Sequence, residues 1–110
     1  MDQPFQTGDS ATIAQTNATS SAGGSLPDSA SQVVLYNSST TDVVFWACRV
    51  LNSPADAGPT AVIPVGSTLG GIPIAPGAQI RLTVGRGPKK YATIATAADG
   101  TLYISPGEGN

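Results

Sequence analysis

The chain has 110 residues, the length of a single domain, with 40% hydrophobic and only 11% charged residues. It contains no His and one Cys, which excludes His-based triads, His or Cys-cluster metal sites and an intramolecular disulfide. A net charge of −2 gives no general attraction to nucleic acid or to an anionic membrane, and 13 Gly with 9 Pro indicate a chain that turns often.

The first 31 residues form a polar segment in which Met1, Phe5, Ile13 and Leu26 are the only large apolar side chains. Such a segment buries too little apolar surface to offset its ordering entropy, about 1–2 kcal/mol per residue for the backbone alone. We therefore predict an extended or disordered N-terminal arm over residues 1–31. If the arm becomes ordered by lying on a partner, Phe5, Ile13 and Leu26 are its anchors.

Residues 32–110 are predicted to form the folded domain. Short apolar or alternating runs, bounded by Gly, Pro and Asn, predict strands at residues 32–36, 43–50, 61–65, 79–84, 91–96 and 101–105. Pro64 confines the third, weaker run to a sheet edge or a bulge, Asp99-Gly100 marks a hairpin, and residues 106–110 are expected to be a non-strand tail.

The spacing of these strands predicts an all-β fold, since no window shows a sustained helical period. Six to seven short strands about ten residues apart are typical of a compact antiparallel β-sandwich or barrel. Alternation within the strands groups the apolar side chains on shared faces, with Ile80, Leu82 and Val84 together in one strand and Leu102 and Ile104 in the last.

The strand at 43–50 is apolar on both faces at its start, because residues 43–48 are apolar in succession. A half-exposed antiparallel strand would alternate. Either the strand is central and covered on both sides within the chain, or one face meets a neighbouring subunit. Because a lone domain of this size is marginally stable, we expect a homo-oligomer, with Val44, Phe45, Trp46 and Tyr36 as interface candidates.

No residue set predicts catalysis, a metal site or a cofactor. Cys48 lies in the most apolar strand, where burial raises a thiol's pKa, so we interpret it as a core residue. The seven carboxylates fall in predicted loops or tails, with no pair held at a fixed separation for acid–base chemistry. Tyr36, Tyr103 and Trp46 could bind sugar, although core or interface roles explain them more simply.

One basic cluster stands out around a predicted turn, formed by Arg81, Arg86, Lys89 and Lys90. It lacks the glycine spacing and the Ser or Thr of a phosphate-binding loop. A charged, soluble hairpin explains it best, contact with an acidic protein partner comes second, and nucleic acid is not expected because Tyr91 is the only interleaved ring.

The segments around the domain contain no targeting signal that we can identify. The start has no Lys or Arg, no signal-length apolar run follows it, and the longest apolar run of six residues is far below the roughly 20 that span a bilayer. We therefore expect synthesis in a reducing cytoplasm and no membrane partner. The glycosylation patterns at Asn17 and Asn37 are interpreted as coincidental.

Three stretches together carry a resemblance: VVLYNSSTTDVVFWACR at 33–49, GIPIAPGAQIRLTVG at 71–85 and YATIATAADGTLYISPGEG at 91–109. They contain a strand, a polar Asn-containing turn and an apolar strand, then a Pro-x-x-Pro-Gly turn before an alternating strand. An Ala-Ile strand, a Gly turn and a final strand follow, ending in Pro-Gly-Glu-Gly. This order resembles small structural proteins of tailed-bacteriophage virions over residues 32–109.

The resemblance implies a capsid decoration (cement) or head-fibre-base protein rather than an enzyme. Such proteins form trimers or other symmetric assemblies on the major capsid protein, so the implied location is the capsid surface of a virion assembled in the bacterial cytoplasm. Two alternatives stay open: a carbohydrate-binding β-module of a tail or head fibre, and a head-completion or tail structural protein of the same fold.

Overall fold

The computed structural model describes residues 6–7 and 12–108 of the chain. The described residues form nine strands and no helix, which confirms the all-β prediction. In chain order the strands are β1 (Gln6–Thr7), β2 (Ile13–Thr16), β3 (Ala22–Leu26), β4 (Gln32–Asn37), β5 (Val44–Val50), β6 (Ile72–Ile74), β7 (Gln79–Thr83), β8 (Lys89–Ala95) and β9 (Thr101–Glu108).

The strands form two antiparallel sheets that pack on each other. In sheet A, β9 pairs with β4 on one side and with β1 and β2 on the other, and β7 pairs with the free side of β4. In sheet B the order is β3, β8, β5, β6. The described chain is therefore a sandwich, one of the two all-β architectures that the strand spacing predicts.

Alternate residues of the strands fill the space between the sheets. From sheet A, Val33 and Leu35 of β4 and Leu102 and Ile104 of β9 are fully buried. This confirms that Leu102 and Ile104 share a face. Ile80, Leu82 and Val84 also lie together against the core, as the alternation in β7 predicts.

Sheet B supplies the aromatic half of the core. The rings of Trp46 and Tyr91 stack with centroids 5.2 Å apart and planes at 6°. Val44, Ile74 and Ala95 pack in the same cluster. Offset or stacked aromatic pairs contribute about 0.5–1.5 kcal/mol beyond the area they bury, so this pair anchors β5 to β8.

The prediction of an arm over residues 1–31 is not supported where the structure describes that segment. β2 pairs with β9 and β3 pairs with β8, so both sheets draw strands from it and residue 31 does not mark the start of the sandwich. Phe5 lies outside the described residues. Ile13 packs against the core, and Leu26 is 4% exposed within it.

The physical reason is that these strands do not need a core of their own. Their backbones pair with strands that are already buried, and small residues let them approach closely. A Cβ at Gly23 would collide with the carbonyl oxygen of Tyr91, so β3 fits beside β8 only with Gly at that position. Composition alone favours disorder here, whereas the neighbouring strand supplies the backbone partners that composition does not reveal.

Two further strand assignments differ from the sequence-based predictions. The run at 61–65 is not a strand, and the edge of sheet B is formed by β6, which lies beyond it. The final strand continues to Glu108 instead of ending before Pro106, because Pro106 and Gly107 pair with β4 and Gly107 also pairs with β1.

A buried polar corner closes one end of the sandwich. Asn37, at the end of β4, is fully buried and its Nδ2 donates to the carbonyl oxygens of Asp42 at 2.8 Å and Ile74 at 3.1 Å. Asn17 is 2% exposed and its Nδ2 donates to the carbonyl of Asp99 at 2.8 Å. Both side chains are buried structural groups, which agrees with interpreting their glycosylation patterns as coincidental.

Candidate functional site

The outer face of sheet B is covered by a loop of the same chain, residues 51–61, which we call the cover loop. The Arg49 guanidinium on β5 forms a two-pronged ion pair with Asp56, at 2.5 and 2.7 Å. At the far end of the loop, Ala61 is 3% exposed and its N–H donates to Ser21 Oγ at 2.9 Å. The loop is thus tied at its middle to β5 and at its end to the residue that precedes β3.

Asp56 is the residue that shapes the cover loop. Besides the two guanidinium bonds, its carboxylate accepts the N–H groups of Asn52 at 3.0 Å and Gly58 at 2.9 Å. The hydrogen bonds from Arg49, followed by those from the two backbone groups, hold the pKa of the Asp56 carboxyl well below its usual range. A carboxylate that accepts several hydrogen bonds stays ionised, so the loop is secured whenever Asp56 is charged.

The two faces of β5 differ in their burial. Val44 and Trp46 face the core and are 1% and 2% exposed, so neither is available at the chain surface. Phe45 and Ala47 on the other face are half-buried. Placing the oligomer interface at Val44 and Trp46 is therefore wrong for this fold: β5 is a central strand, covered on one face by sheet A.

The predicted basic patch does not exist as one surface. Lys89 and Lys90 are consecutive on β8, so they point to opposite faces of sheet B. Lys89 is 1% exposed and its Nζ donates to the carbonyls of Pro27 and Asp28 at 2.9 and 3.2 Å. Arg81 lies on sheet A and Arg86 in the turn after β7. Strand alternation has separated residues that are neighbours in sequence.

Cys48 packs against the core beside Trp46, in agreement with its interpretation as a core residue. Burial raises the pKa of its thiol, opposed in part by the positive charge of Lys89. The thiol form is favoured, and no group of three His, Cys, Asp or Glu side chains that could hold a metal ion occurs among the described residues.

The structure contains an apolar projection that the sequence patterns did not predict. Residues 62–71, which we call the finger, double back on themselves: the N–H of Gly71 donates to the Val62 carbonyl at 3.0 Å, and that of Thr68 to the Val65 carbonyl at 2.8 Å. Gly66 turns the tip with φ of 56°. The signal that could have revealed the finger is the absence of any charged residue between Asp56 and Arg81.

The finger exposes aliphatic side chains to an unusual degree. Leu69 is 91% exposed, Val65 is 70% exposed and Val62 is 38% exposed, and Ile72, which follows the finger at the start of β6, is 48% exposed. Single exposed aliphatic residues are normal, but four of them within eleven charge-free residues form a local apolar surface. Such a surface is typical of contact with another protein.

Sheet A exposes a pair of aromatic rings on its outer face. Tyr36 of β4 and Tyr103 of β9 are direct cross-strand partners, 40% and 41% exposed, while the residues on either side of each are buried. Their ring centroids are 6.4 Å apart and their planes differ by 18°. Of the predicted interface residues, Tyr36 is the one that lies at an exposed surface.

The strand register identifies the neighbours of this pair. Gln79 lies opposite Tyr36, and Arg81 and Ser105 flank Val34 in the next row of the same face. We call Tyr36, Tyr103, Gln79, Arg81 and Ser105 the tyrosine platform. The sequence shows each residue but not the grouping, because Tyr36 and Tyr103 are far apart in the chain and meet only through the β4–β9 register.

Comparison with protein-family models, with curated proteins and with solved structures finds no match to this chain. The described residues include no helix that is long and apolar enough to cross a membrane. The exposed finger and the tyrosine platform are the surface features of the described residues that point to a function.

Proposed function

We propose that this chain is a structural protein of a tailed-bacteriophage virion, a capsid decoration (cement) protein that binds the outer surface of the major capsid shell and stabilises it. The observation that carries the proposal is the finger, with Leu69 and Val65 exposed on a charge-free projection that is folded back on itself by backbone hydrogen bonds. The resemblance of residues 32–109 to small virion proteins supports the same class of function.

The finger suits protein–protein contact because it is both apolar and preorganised. Its backbone hydrogen bonds and the turn at Gly66 fix its shape before any partner arrives. Burying an aliphatic side chain such as Leu69 yields about 1.5–3 kcal/mol, and a rigid element loses little conformational freedom on binding. Contact residues of this kind are typical of permanent assemblies, whose interfaces are more apolar than average.

The homotrimer is part of this proposal, with its interface at the finger instead of at the core face of β5. Fingers that meet around a symmetry axis bury Val65 and Leu69 against their own copies, so that these residues act in shell binding by holding the trimer together. A trimer also multiplies each weak contact with the shell, since linked sites bind with a raised effective concentration. The major capsid protein is then the second partner, and neither contact requires a cofactor.

The test adds the purified chain to heads of the encoding phage that lack it, followed by sedimentation and head-stability measurements. Native chain should co-sediment and raise the temperature at which heads open, whereas Leu69→Ser should lose both effects. Tyr103→Ala serves as the matched control, since it alters another exposed surface. Failure of the native chain to co-sediment, or equal binding by Leu69→Ser, would contradict the proposal.

Light scattering tests the trimer separately. A trimer that Leu69→Ser converts to monomer supports the finger as the self-contact, and a native monomer at micromolar concentration contradicts it. Immunogold labelling of virions distinguishes decoration of the shell from the alternative of a head-completion or tail protein, because label at the neck or tail would support that alternative.

A further inference from the structure

The tyrosine platform differs in chemistry from the finger. The two rows of sheet A that cross the platform carry Ala14, Tyr103, Tyr36 and Gln79 in one, and Thr12, Ser105, Val34 and Arg81 in the other. These rows combine aromatic rings with hydroxyl and amide groups, and they offer few aliphatic side chains and no carboxylate. A partner that combines apolar faces with many hydroxyl groups would complement this face.

The ring pair offers exposed aromatic surface to the saturated rings of a sugar. The two phenol rings stack with planes 18° apart on the outer face of sheet A, and both residues are exposed. The negative ring faces attract the weakly positive C–H groups of a sugar ring, and Tyr hydroxyls can donate hydrogen bonds to sugar hydroxyls and accept them. With centroids 6.4 Å apart, the rings can contact successive units of one chain.

Polar side chains border the rings on two sides. Gln79 is exposed next to Tyr36, and its amide both donates and accepts. Ser105 lies one row further along and shares a 2.9 Å hydrogen bond with Thr12 Oγ1. Beyond Tyr36, an open depression of about 470 Å³ is lined by Val34, Gln79, Ile80 and Arg81. These groups can satisfy the hydroxyls of a ligand on the rings.

The positive charge of Arg81 favours a negatively charged ligand. It is exposed at the border of the depression, diagonal to Tyr36, and forms no ion pair with any residue in the described part of the chain. None of the side chains in the two rows is acidic. A guanidinium in this setting favours a carboxylate, which it can bind through two parallel hydrogen bonds.

We infer that the tyrosine platform binds an acidic oligosaccharide, with sugar rings on Tyr36 and Tyr103 and a sugar carboxylate at Arg81. The site is separate from the finger, so it adds a glycan-binding activity to the proposed shell binding and does not depend on it. In a virion, the outer face of sheet A would hold the particle to an acidic polysaccharide surface.

The test titrates the full chain with hexagalacturonate and with neutral cellohexaose, recorded as amide chemical-shift changes. Hexagalacturonate should shift the amides of β4, β7 and β9, and cellohexaose should bind more weakly. Tyr103→Ala should weaken binding about tenfold, whereas Tyr103→Phe, which keeps the ring, should retain most of it. Tyr36→Ala should act like Tyr103→Ala.

Two further variants separate the parts of the site. Arg81→Gln should remove the preference for hexagalacturonate and leave cellohexaose binding unchanged. Leu69→Ser, on the finger, should bind like the native chain, and unfolding curves should show that every variant is folded. Tyr103→Ala should also still co-sediment with phage heads, which distinguishes loss of the glycan site from failure of the proposed shell binding.

Several results would overturn the inference. If neither oligosaccharide causes shifts at millimolar concentration, the platform is not an oligosaccharide-binding site. If both bind with equal affinity, the ligand need not be acidic. Shifts confined to sheet B would place binding elsewhere. A change in oligomeric state on Tyr103→Ala, seen by light scattering, would assign the face to contact between copies of the chain.

Discussion

Replacing Asn37 with Ala removes the side chain that joins three parts of the polar corner. Its Nδ2 donates to the carbonyls of Asp42 and Ile74, and its Oδ1 accepts the N–H of Ser39 at 3.1 Å. The Asn37 side chain that forms these hydrogen bonds is fully buried. After the substitution, the turn after β4 and the end of β6 lose their common partner.

The magnitude follows from the groups left without partners. Each buried polar group that loses its hydrogen bond costs about 1–3 kcal/mol, and Asn37→Ala removes the amide partner of three carbonyls (Asp42, Ile74 and the part-buried Ala75) and of one N–H. Because some water can enter the space of the lost side chain, we expect a decrease of roughly 3–5 kcal/mol in the free energy of unfolding. That is a large share of the about 5–15 kcal/mol that stabilises a typical domain.

Urea unfolding measured by the fluorescence of Trp46 checks this value, since Trp46 is the only Trp and lies in the core. The control is Asn52→Ala, an exposed Asn whose change should stay within about 0.5 kcal/mol. The slope of the unfolding free energy against urea should be the same for both variants. A loss below about 1 kcal/mol for Asn37→Ala would refute the role assigned to the corner.

Three other substitutions test separate parts of the structure. Gly23→Ala should lower the free energy of unfolding by about 1–3 kcal/mol, since the new Cβ would collide with a backbone oxygen. Gly24→Ala, whose Cβ would lie 3.4 Å from the nearest atom, should change the free energy of unfolding little. Equal melting temperatures for the two variants would contradict this prediction. Because the pKa of Asp56 is lowered, its stabilisation of the cover loop is complete above about pH 4 and decreases progressively as pH falls from there toward the native pKa. The protection factor of the Gly58 N–H, measured by hydrogen exchange and corrected for the intrinsic rate at each pH, should decrease over that range, and in Asp56→Asn it should be low at neutral pH too. Burial lowers the pKa of Lys89, so at high pH the unfolded chain carries more protons on this amine than the native chain does. The stability of the native chain relative to Lys89→Met should therefore rise as pH approaches about 10.5. Identical pH dependence of the two chains in urea unfolding would disprove the effect.

The covered and exposed faces of the sandwich suggest why the chain can be nearly uncharged. Sheet B is protected by the cover loop, and the edge of that sheet beyond β5 carries the finger. The most exposed aliphatic side chains are Leu69 and Val65 on the finger, whereas the large apolar residues exposed on the strands, such as Tyr36, Tyr103 and Ile72, are 40–48% exposed. Assembly through the finger would remove most of that exposure, so few charges are needed elsewhere for solubility.

Local patterns in the sequence were sufficient to predict much of sheet A. The alternation in β7 and β9 fixed which residues face the core, because side chains of a strand alternate between faces whatever their partner is. The turns at Pro76-Gly77 and Asp99-Gly100 were also recognised, and the structure gives Gly77 and Gly100 φ values of 73° and 83° that favour glycine. These features depend on residues close together in the chain.

The sequence by itself therefore determined an all-β fold, most of the strands after residue 31 and the core-facing residues of β7 and β9. Only the tertiary structure decided that β3 finds a partner in β8, that Lys89 is buried while Lys90 is not, and that Tyr36 meets Tyr103. The reason is that strand periodicity is encoded locally, whereas backbone pairing between distant segments depends on register and on the close approach of small residues such as Gly23.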